Sequence, residues 1–182
     1  MRRRATLSNV ALFATVLVGM SDRKHSGIAR KRGAASASVV RGRGTAQGGA
    51  RVRVLVVDDL EDNRDLYATY FEHWGFETDQ AADGEEALAK IAKVPPDVVI
   101  MDLSMPNVDG WEATRLIKSN PRTSHVIVAV VTGNTTTENV AAAYAAGADA
   151  VFSKPCWPKD LLYSVEHHLA TRSRKAVSTG RV

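Results

Sequence analysis

The chain has 182 residues, of which 45% are hydrophobic, so it is long enough for one domain of ordinary size with additional length. Its net charge of +4 is unevenly distributed: residues 1–53 contain twelve of the 24 bases and one of the 20 acids, so the remainder, with twelve bases and nineteen acids, carries −7. A basic segment therefore precedes an acidic domain, and nucleic-acid binding by the folded part gains little support. The single cysteine, Cys156, excludes an intrachain disulfide framework and favours a reducing compartment, the cytoplasm.

Residues 1–51 form a basic segment rich in Gly, Ala and Ser that we expect to be disordered. Its start, MRRR followed by ATLSNVALFATVLVGM, has the charge and apolar centre of a secretory signal but is too short to span a bilayer and has a poor cleavage context around Val18 to Ser21. The alternatives are an extension from an upstream start codon, weak membrane association, a targeting peptide and a nucleic-acid-binding arm. We favour the first of these.

From Val52 onward, short apolar runs alternate with segments of helical periodicity. Five strands are predicted at VRVLVV, FETDQA, DVVIM, VIVAVV and DAVFS, and helices are predicted to begin near Glu61, Gly84, Gly110, Thr137 and Pro158. Continuous apolar runs are typical of a parallel sheet covered by helices on both faces. The sequence therefore predicts an α/β fold with a doubly wound five-stranded parallel sheet over residues 52–170, followed by a disordered tail over residues 171–182.

Acidic side chains stand at the ends of two predicted strands. Asp58 and Asp59 follow the first strand, and Asp102 ends the third. Because the carboxyl ends of parallel strands lie at one edge of a sheet, we expect these carboxylates to lie close together, where their repulsion requires a cation. Carboxylate oxygens are the ligands that Mg²⁺ prefers, so a magnesium site is predicted at this edge.

Two further polar residues stand at the ends of later strands. Thr132 ends the fourth strand, and Lys154 ends the fifth. A hydroxyl and an ammonium beside a metal can hold a phosphoryl group, and the ammonium offsets the charge of Asp102. Each residue alone has an ordinary explanation, as a helix cap, a turn or a surface charge. Their coincidence at successive strand ends favours a site that handles phosphate.

The residues at these strand ends resemble the signature of the receiver domain of two-component response regulators, in particular the stand-alone, chemotaxis type. They are the motifs Asp58-Asp59, DLSMPNVDG with Asp102 first, Thr132-Gly133 and Lys154-Pro155. The resemblance covers about residues 52–170 and implies a flavodoxin-like (βα)5 fold with strand order 2-1-3-4-5. It also implies that Asp102 accepts a phosphoryl group from a histidine kinase or a histidine phosphotransfer protein, as an acyl phosphate.

The resemblance assigns the metal ligands residue by residue. Asp59 and Asp102 would bind Mg²⁺ directly, together with the backbone carbonyl of Ser104, and Asp58 would help through water. Ser104 and Asn134 occupy positions near the phosphate that tune its lifetime in this family.

The resemblance also assigns the groups that contact phosphate. Thr132 and Lys154 would hold the phosphoryl oxygens, and the bond from Lys154 to Pro155 is expected to be cis. Many receivers carry an aromatic switch residue three positions before this lysine. Here that position is Val151, which leaves the switching step open, while Phe152 is predicted on the opposite strand face.

The function predicted from these residues is a stand-alone signalling switch and not an enzyme, beyond Mg²⁺-dependent self-phosphorylation and autodephosphorylation. The segment after the last helix is too short for a DNA-binding output domain, so we expect output through a protein partner that binds helix 4, strand 5 and helix 5. Tyr144 and Trp157 would supply the large contacts there.

Two alternatives use some of the same residues. An intermediate in a multistep phosphorelay would use all of them, and only a measured phosphotransfer partner separates it from a switch. A haloacid-dehalogenase-like phosphatase would also use an aspartate nucleophile, but that chemistry requires a second acid two residues later, where this chain has Ser104.

Overall fold

The computed structural model describes Gly44, residues 49–105 and residues 109–179, all within one compact unit, Arg43–Val182. Strands and helices alternate along the chain, as predicted. In order they are β1 (Arg53–Val57), α1 (Glu61–His73), β2 (Glu77–Ala81), α2 (Gly84–Lys93), β3 (Val98–Asp102), α3 (Gly110–Ser119), β4 (Ile127–Thr132), α4 (Thr137–Ala145), β5 (Ala150–Ser153) and α5 (Pro158–Thr179).

All strand pairs are parallel, and the sheet has the order β2-β1-β3-β4-β5 that was predicted. The central strands β3 and β4 are buried along their whole length, which agrees with their continuous apolar sequences. The register sets Asp102 opposite Val131 and aligns Thr132 with Ser153. The carboxyl ends of β3, β4 and β5 therefore lie at one edge, where the polar residues were expected.

The two faces of the sheet are covered by different helices, because alternate strand residues point to opposite sides. On one face, strand residues such as Val99 and Val130 pack with Ile91 of α2 and Ile117 of α3. On the other face, strand residues pack with α1 and α5, and this cluster includes Val56, Ile100, Val131, Phe71, Leu161 and Val165. The fold is therefore a three-layer arrangement with the sheet in the middle.

The last helix extends further than the sequence analysis predicted. It was expected to end near Ala170, with a disordered tail over residues 171–182, but α5 continues through Thr179. The reason lies in composition, since residues 171–179 contain neither Gly nor Pro and include Arg, Lys and Ala, which favour helix. Arg172 also lies 3.9 Å from the carboxylate of Asp97. The tail prediction is therefore wrong for residues 171–179, and residues 180–182 lie outside the described part.

The N-terminal boundary of the domain also differs from the expected one at Val52. Gly44 is buried; its amide donates to the carbonyl of Trp74 at 3.1 Å, and its carbonyl accepts from the amide of Val52 at 2.7 Å. A β-carbon at Gly44 would lie 2.4 Å from the backbone of Gly75 and Phe76, so only glycine fits this approach. Part of the predicted extension therefore contacts the domain.

The remaining predictions for residues 1–43 and 45–48 fall outside the described residues. They include the disordered basic segment and the membrane-associated or targeting alternatives. Within the part of the chain that the structure describes, no helix is both long enough and apolar enough to cross a membrane.

Candidate functional site

Three carboxylates converge at the carboxyl edge of the sheet. Asp58 and Asp59 directly follow β1, and Asp102 is the last residue of β3. One oxygen of each lies within 4.8 Å of the others, a spacing that a single metal ion could bridge. Asp58 and Asp102 are buried, whereas Asp59 is exposed. The structure thus brings together the three acids that the sequence predicted to cluster, and the donor set of hard oxygens suits a divalent cation.

The side chain of Asp58 is held by several protein donors. Its Oδ1 accepts hydrogen bonds from the backbone amide of Leu60 and the side-chain amide of Asn63, both at 3.0 Å. Its Oδ2 accepts from the same Asn63 amide at 3.1 Å and from the ammonium of Lys154 at 2.7 Å. Hydrogen bonds from charged and neutral donors offset the cost of burying this carboxylate.

Lys154 joins two of the acids. Its ammonium lies 2.7 Å from Asp58 Oδ2 and 2.8 Å from Asp102 Oδ2, and its side chain is 24% exposed. Burial acts to lower the pKa of Lys154, but its hydrogen bonds to Asp102 and Asp58 outweigh that effect and hold the pKa above its ordinary value. The lysine therefore stays charged and supplies the positive charge that Asp102 needs.

Asp102 is fixed by its own loop and by the start of α3. Its Oδ1 accepts from the backbone amide of Ser104 at 3.2 Å, while Oδ2 faces Lys154. The amide of Gly110 donates to the carbonyl of Leu103 at 3.2 Å, and a β-carbon at Gly110 would lie 2.1 Å from the carbonyl oxygen of Asp102. Glycine at this position therefore allows α3 to begin against the backbone of Asp102. The carbonyl of Ser104 as a metal ligand stays a prediction.

Thr132 and Lys154 are tied to each other through the backbone. The carbonyl of Thr132 accepts from the amide of Lys154 at 2.8 Å, and the buried Thr132 hydroxyl accepts from the amide of Asn134 at 3.1 Å. The bond from Lys154 to Pro155 is cis, as the resemblance implied. Thr132, Asn134 and Lys154 thus lie at the ends of neighbouring strands β4 and β5.

The strand residues before Lys154 lie on opposite faces, as predicted. Val151 packs against the core between the sheet and helices α2 to α4, while Phe152 packs against the core on the α1 and α5 side. The side chain at the usual aromatic switch position is therefore a partly buried valine.

Sequence reasoning missed the contributions of helix α1 to this site. Besides Asn63, the guanidinium of Arg64 donates to the backbone carbonyls of Asp58 at 2.7 Å and Asp59 at 3.2 Å. Both residues have ordinary side chains for the first turns of a helix. The only signal was their position shortly after the acidic pair, which places them where they can turn back to it.

Comparison with known proteins identifies the family. The sequence pattern described as the response regulator receiver domain matches residues 54–166, which is more than half of the chain. The chain belongs to the response regulator receiver domain family. The predicted family and fold are confirmed, and the haloacid-dehalogenase-like alternative is not supported.

Relatives and solved structures agree with this membership. The DNA-binding response regulator MtrA of Mycobacterium tuberculosis is 32% identical over 119 residues, which are 65% of this chain and 51% of MtrA. The chain spans about half the length of the curated relatives of this kind that it matches.

Among solved structures, the chemotaxis protein CheY4 of Vibrio cholerae covers 65% of this chain and 98% of its own, with 32% identity and a TM-score of 0.62. A CheY-like receiver protein from Methanospirillum hungatei covers 68% of this chain and 98% of its own, with 30% identity and a TM-score of 0.65. The likeness of both therefore extends over nearly the whole of a receiver domain.

Proposed function

We propose that this receiver domain accepts a phosphoryl group on Asp102 from a histidine kinase or a histidine phosphotransfer protein and then changes its binding to a protein partner. The observation that carries the proposal is the position of the Lys154 ammonium, which lies 2.8 Å from Asp102 and 2.7 Å from Asp58, two of the three clustered acids. A carboxylate that attacks an anionic phosphoryl group needs such a cation beside it.

The acidic cluster is proposed to hold Mg²⁺. Asp59 and Asp102, with the backbone carbonyl of Ser104, would bind the ion, and Asp58, which accepts hydrogen bonds from Leu60, Asn63 and Lys154, would act through water. When bound, the ion would neutralise charge on the phosphoryl oxygens and on the attacking carboxylate.

The transfer step would be a displacement at phosphorus. One carboxylate oxygen of Asp102 forms a bond to phosphorus while the bond from phosphorus to the histidine nitrogen of the donor breaks, and the imidazole takes up a proton. The product is an aspartyl phosphate. Lys154 would then contact a phosphoryl oxygen in place of the free carboxylate, and the hydroxyl of Thr132 would turn towards another.

The change in Thr132 and Lys154 is proposed to reach the surface through the elements that carry them. Thr132 lies directly before the loop to α4, and Lys154 lies between β5 and α5. A partner surface on α4, β5 and α5 would therefore respond to the phosphate. On this surface Tyr144 is 51% exposed and Trp157 is 55% exposed, so both are available to a partner.

Two aspects of the biology follow as part of the same proposal. A switch that releases its phosphate to water and a relay intermediate that passes it onward would both use Asp102, and a phosphotransfer assay with candidate partners separates them.

We also propose a cytoplasmic location, because the lone cysteine, Cys156, suits a reducing compartment.

The test is phosphorylation of the full chain with acetyl phosphate and Mg²⁺, followed by intact mass. One phosphate should be gained that is labile in base, and it should be lost in Asp102→Asn and in the presence of a metal chelator. Asp62→Asn, which changes an exposed acid in the first turn of α1, is the matched control and should label normally. Undiminished labelling of Asp102→Asn would overturn the proposal.

A further inference from the structure

A buried tyrosine on α1 reaches the turn that follows Lys154. The side chain of Tyr67 is 4% exposed, and its hydroxyl donates to the backbone carbonyl of Cys156 at 3.2 Å. Cys156 comes two residues after Lys154 and is separated from Tyr67 by 89 positions in sequence. The hydrogen bond therefore ties helix α1 to the turn between β5 and α5.

Only one neighbouring strand of the sheet supports this turn. β5 is an edge strand that pairs with β4, and none of its four residues is buried. The amide of Lys154 donates to Thr132 in β4. The hydroxyl of Tyr67 contacts the turn from the α1 side, so the lysine lies between two fixed backbone points.

The hydroxyl of Tyr67 is not needed for packing. The ring lies in the core with Phe71, Leu161 and Leu162, where phenylalanine would fill the same space. A hydroxyl in such surroundings is costly unless it has a partner, and here the partner is a carbonyl at the functional edge. Burial, with the nearby Cys156 and the acids Asp58 and Asp102, raises the pKa of Tyr67, so the group stays protonated and able to donate.

The same face of α1 carries Asn63, one helical turn before Tyr67. Asn63 donates to both oxygens of Asp58, and Tyr67 holds the turn that carries Lys154. Asp58 and Lys154 are 2.7 Å apart, so one helix face contacts one partner of the ion pair directly and holds the turn that follows the other.

We propose that Tyr67 is a positioning residue for Lys154: by holding the carbonyl of Cys156, it sets where the lysine ammonium lies relative to Asp58 and Asp102. The proposal rests on the proposed function, because the position of the ammonium matters for transfer of phosphate to Asp102. The position of the lysine would then depend on helix α1 as well as on the sheet.

The first test measures Lys154 without phosphate. In the full chain with ¹³C-labelled lysine, the ε-carbon signal that disappears in Lys154→Ala is assigned to this lysine, and its position is recorded at neutral pH. Tyr67→Phe should shift this signal, because the ammonium would lie differently between the two carboxylates. Tyr70→Phe, a tyrosine one turn along the same helix that packs on Phe71 and Trp74, should leave it in place. An unchanged Lys154 signal in Tyr67→Phe would overturn the proposal.

The second test is a double-mutant cycle on the rate of phosphorylation by acetyl phosphate. Tyr67→Phe should slow labelling by about fivefold, the effect of one typical hydrogen bond, and should change the rate little in the Lys154→Ala background. An equal loss in both backgrounds would mean that Tyr67 acts elsewhere and would overturn the proposal. Thermal unfolding of each variant separates this effect from a loss of fold. If the wild-type chain takes up no phosphate, the proposed function fails, and the position of the Lys154 ε-carbon signal still decides the role of Tyr67.

Discussion

The ammonium of Lys154 and the carboxylate of Asp102 are joined at 2.8 Å, and the same ammonium lies 2.7 Å from Asp58. One lysine therefore separates two buried acids that would otherwise repel each other. The charge proposed to prepare Asp102 for phosphate therefore also offsets the cost of burying the two acids in the folded protein.

Removing this lysine should make stability depend on metal. Lys154→Ala should lower the free energy of unfolding by about 2 kcal/mol without metal, because breaking a buried pair leaves carboxylates uncompensated. Added Mg²⁺ should restore a larger share of stability in this variant than in wild type, since the ion would replace the missing charge. Urea unfolding with and without Mg²⁺ measures both effects.

A matched control is available in Lys118→Ala. Lys118 is likewise a lysine in an ion pair: its ammonium lies 2.6 Å from the carboxylate of Asp149. Neither residue belongs to the acidic cluster. Its loss of stability should not be recovered by Mg²⁺. Equal recovery in the two variants would place the metal effect outside the acidic cluster.

Asn63 should support metal binding through Asp58. In Asn63→Ala the carboxylate loses a donor to both of its oxygens, and Mg²⁺ affinity should fall by about tenfold, as is common when a group that orients a metal site is removed. Titration followed by tryptophan emission, to which Trp111 in the first turn of α3 contributes, reports the affinity. Gln80→Ala removes a comparable amide-to-carboxylate bond, to Asp65, and should leave the affinity unchanged. A loss of affinity in Gln80→Ala as large as that in Asn63→Ala would contradict this role.

The proposed partner surface should be separable from phosphorylation. Substituting both Tyr144 and Trp157 with alanine should weaken binding to the output partner while Asp102 labels at the wild-type rate, because both side chains are more than half exposed. Val94→Ala, which changes a 54% exposed valine at the end of α2, serves as the control. Loss of labelling in the double variant would instead assign these aromatic residues to the fold.

Two truncations should differ in stability because of Gly44. Removing residues 1–43 keeps the bonds of Gly44 to Trp74 and Val52, and the free energy of unfolding should stay within error of the full chain. Removing residues 1–50 eliminates both bonds and should cost about 1–2 kcal/mol. Denaturant unfolding of the two truncations and the full chain measures the difference. Identical stability of the two truncations would mean that the contact of Gly44 contributes nothing.

The thiol of Cys156 should lose its proton at a higher pH than an exposed cysteine does. Burial, with the nearby Asp160, raises the pKa of Cys156 from 9.0 to about 11. Between these values the unfolded chain loses the thiol proton while the folded chain keeps it, so the stability contributed by this group is complete below pH 9 and falls as pH rises towards 11. Thiolate absorbance of the only cysteine should therefore have its midpoint near pH 11, and the stability difference between wild type and Cys156→Ala should decline over the same window. A midpoint near pH 9 would contradict the burial argument.

The sequence predicted the strands and the acidic cluster because these signals are local. Continuous apolar runs identified β3 and β4, and Asp102 and Lys154 stand next to such runs. Because the strands of a parallel sheet have their carboxyl ends at the same edge, the strand pattern alone was enough to predict that these residues lie close together.

The features that the sequence did not predict depend mainly on contacts between distant segments. Tyr67 is an ordinary helix residue by sequence, and its bond to Cys156 exists only after α1 packs beside α5. Gly44 lies in a Gly-rich segment, where nothing distinguishes it from its neighbours until it meets Gly75. The end of α5 was placed too early because the apolar pattern of a packed helix stops near Leu169, whereas helix propensity continues to Thr179.

The absence of a side chain at Gly110 has a mechanical consequence. With the start of α3 pressed against the backbone of Asp102, the end of β3 and this helix share a rigid support. The two should therefore move as one body, because a shift of either towards the other would produce a steric clash. A change at the Asp102 backbone would then reach the first turn of α3 without passing through any side chain.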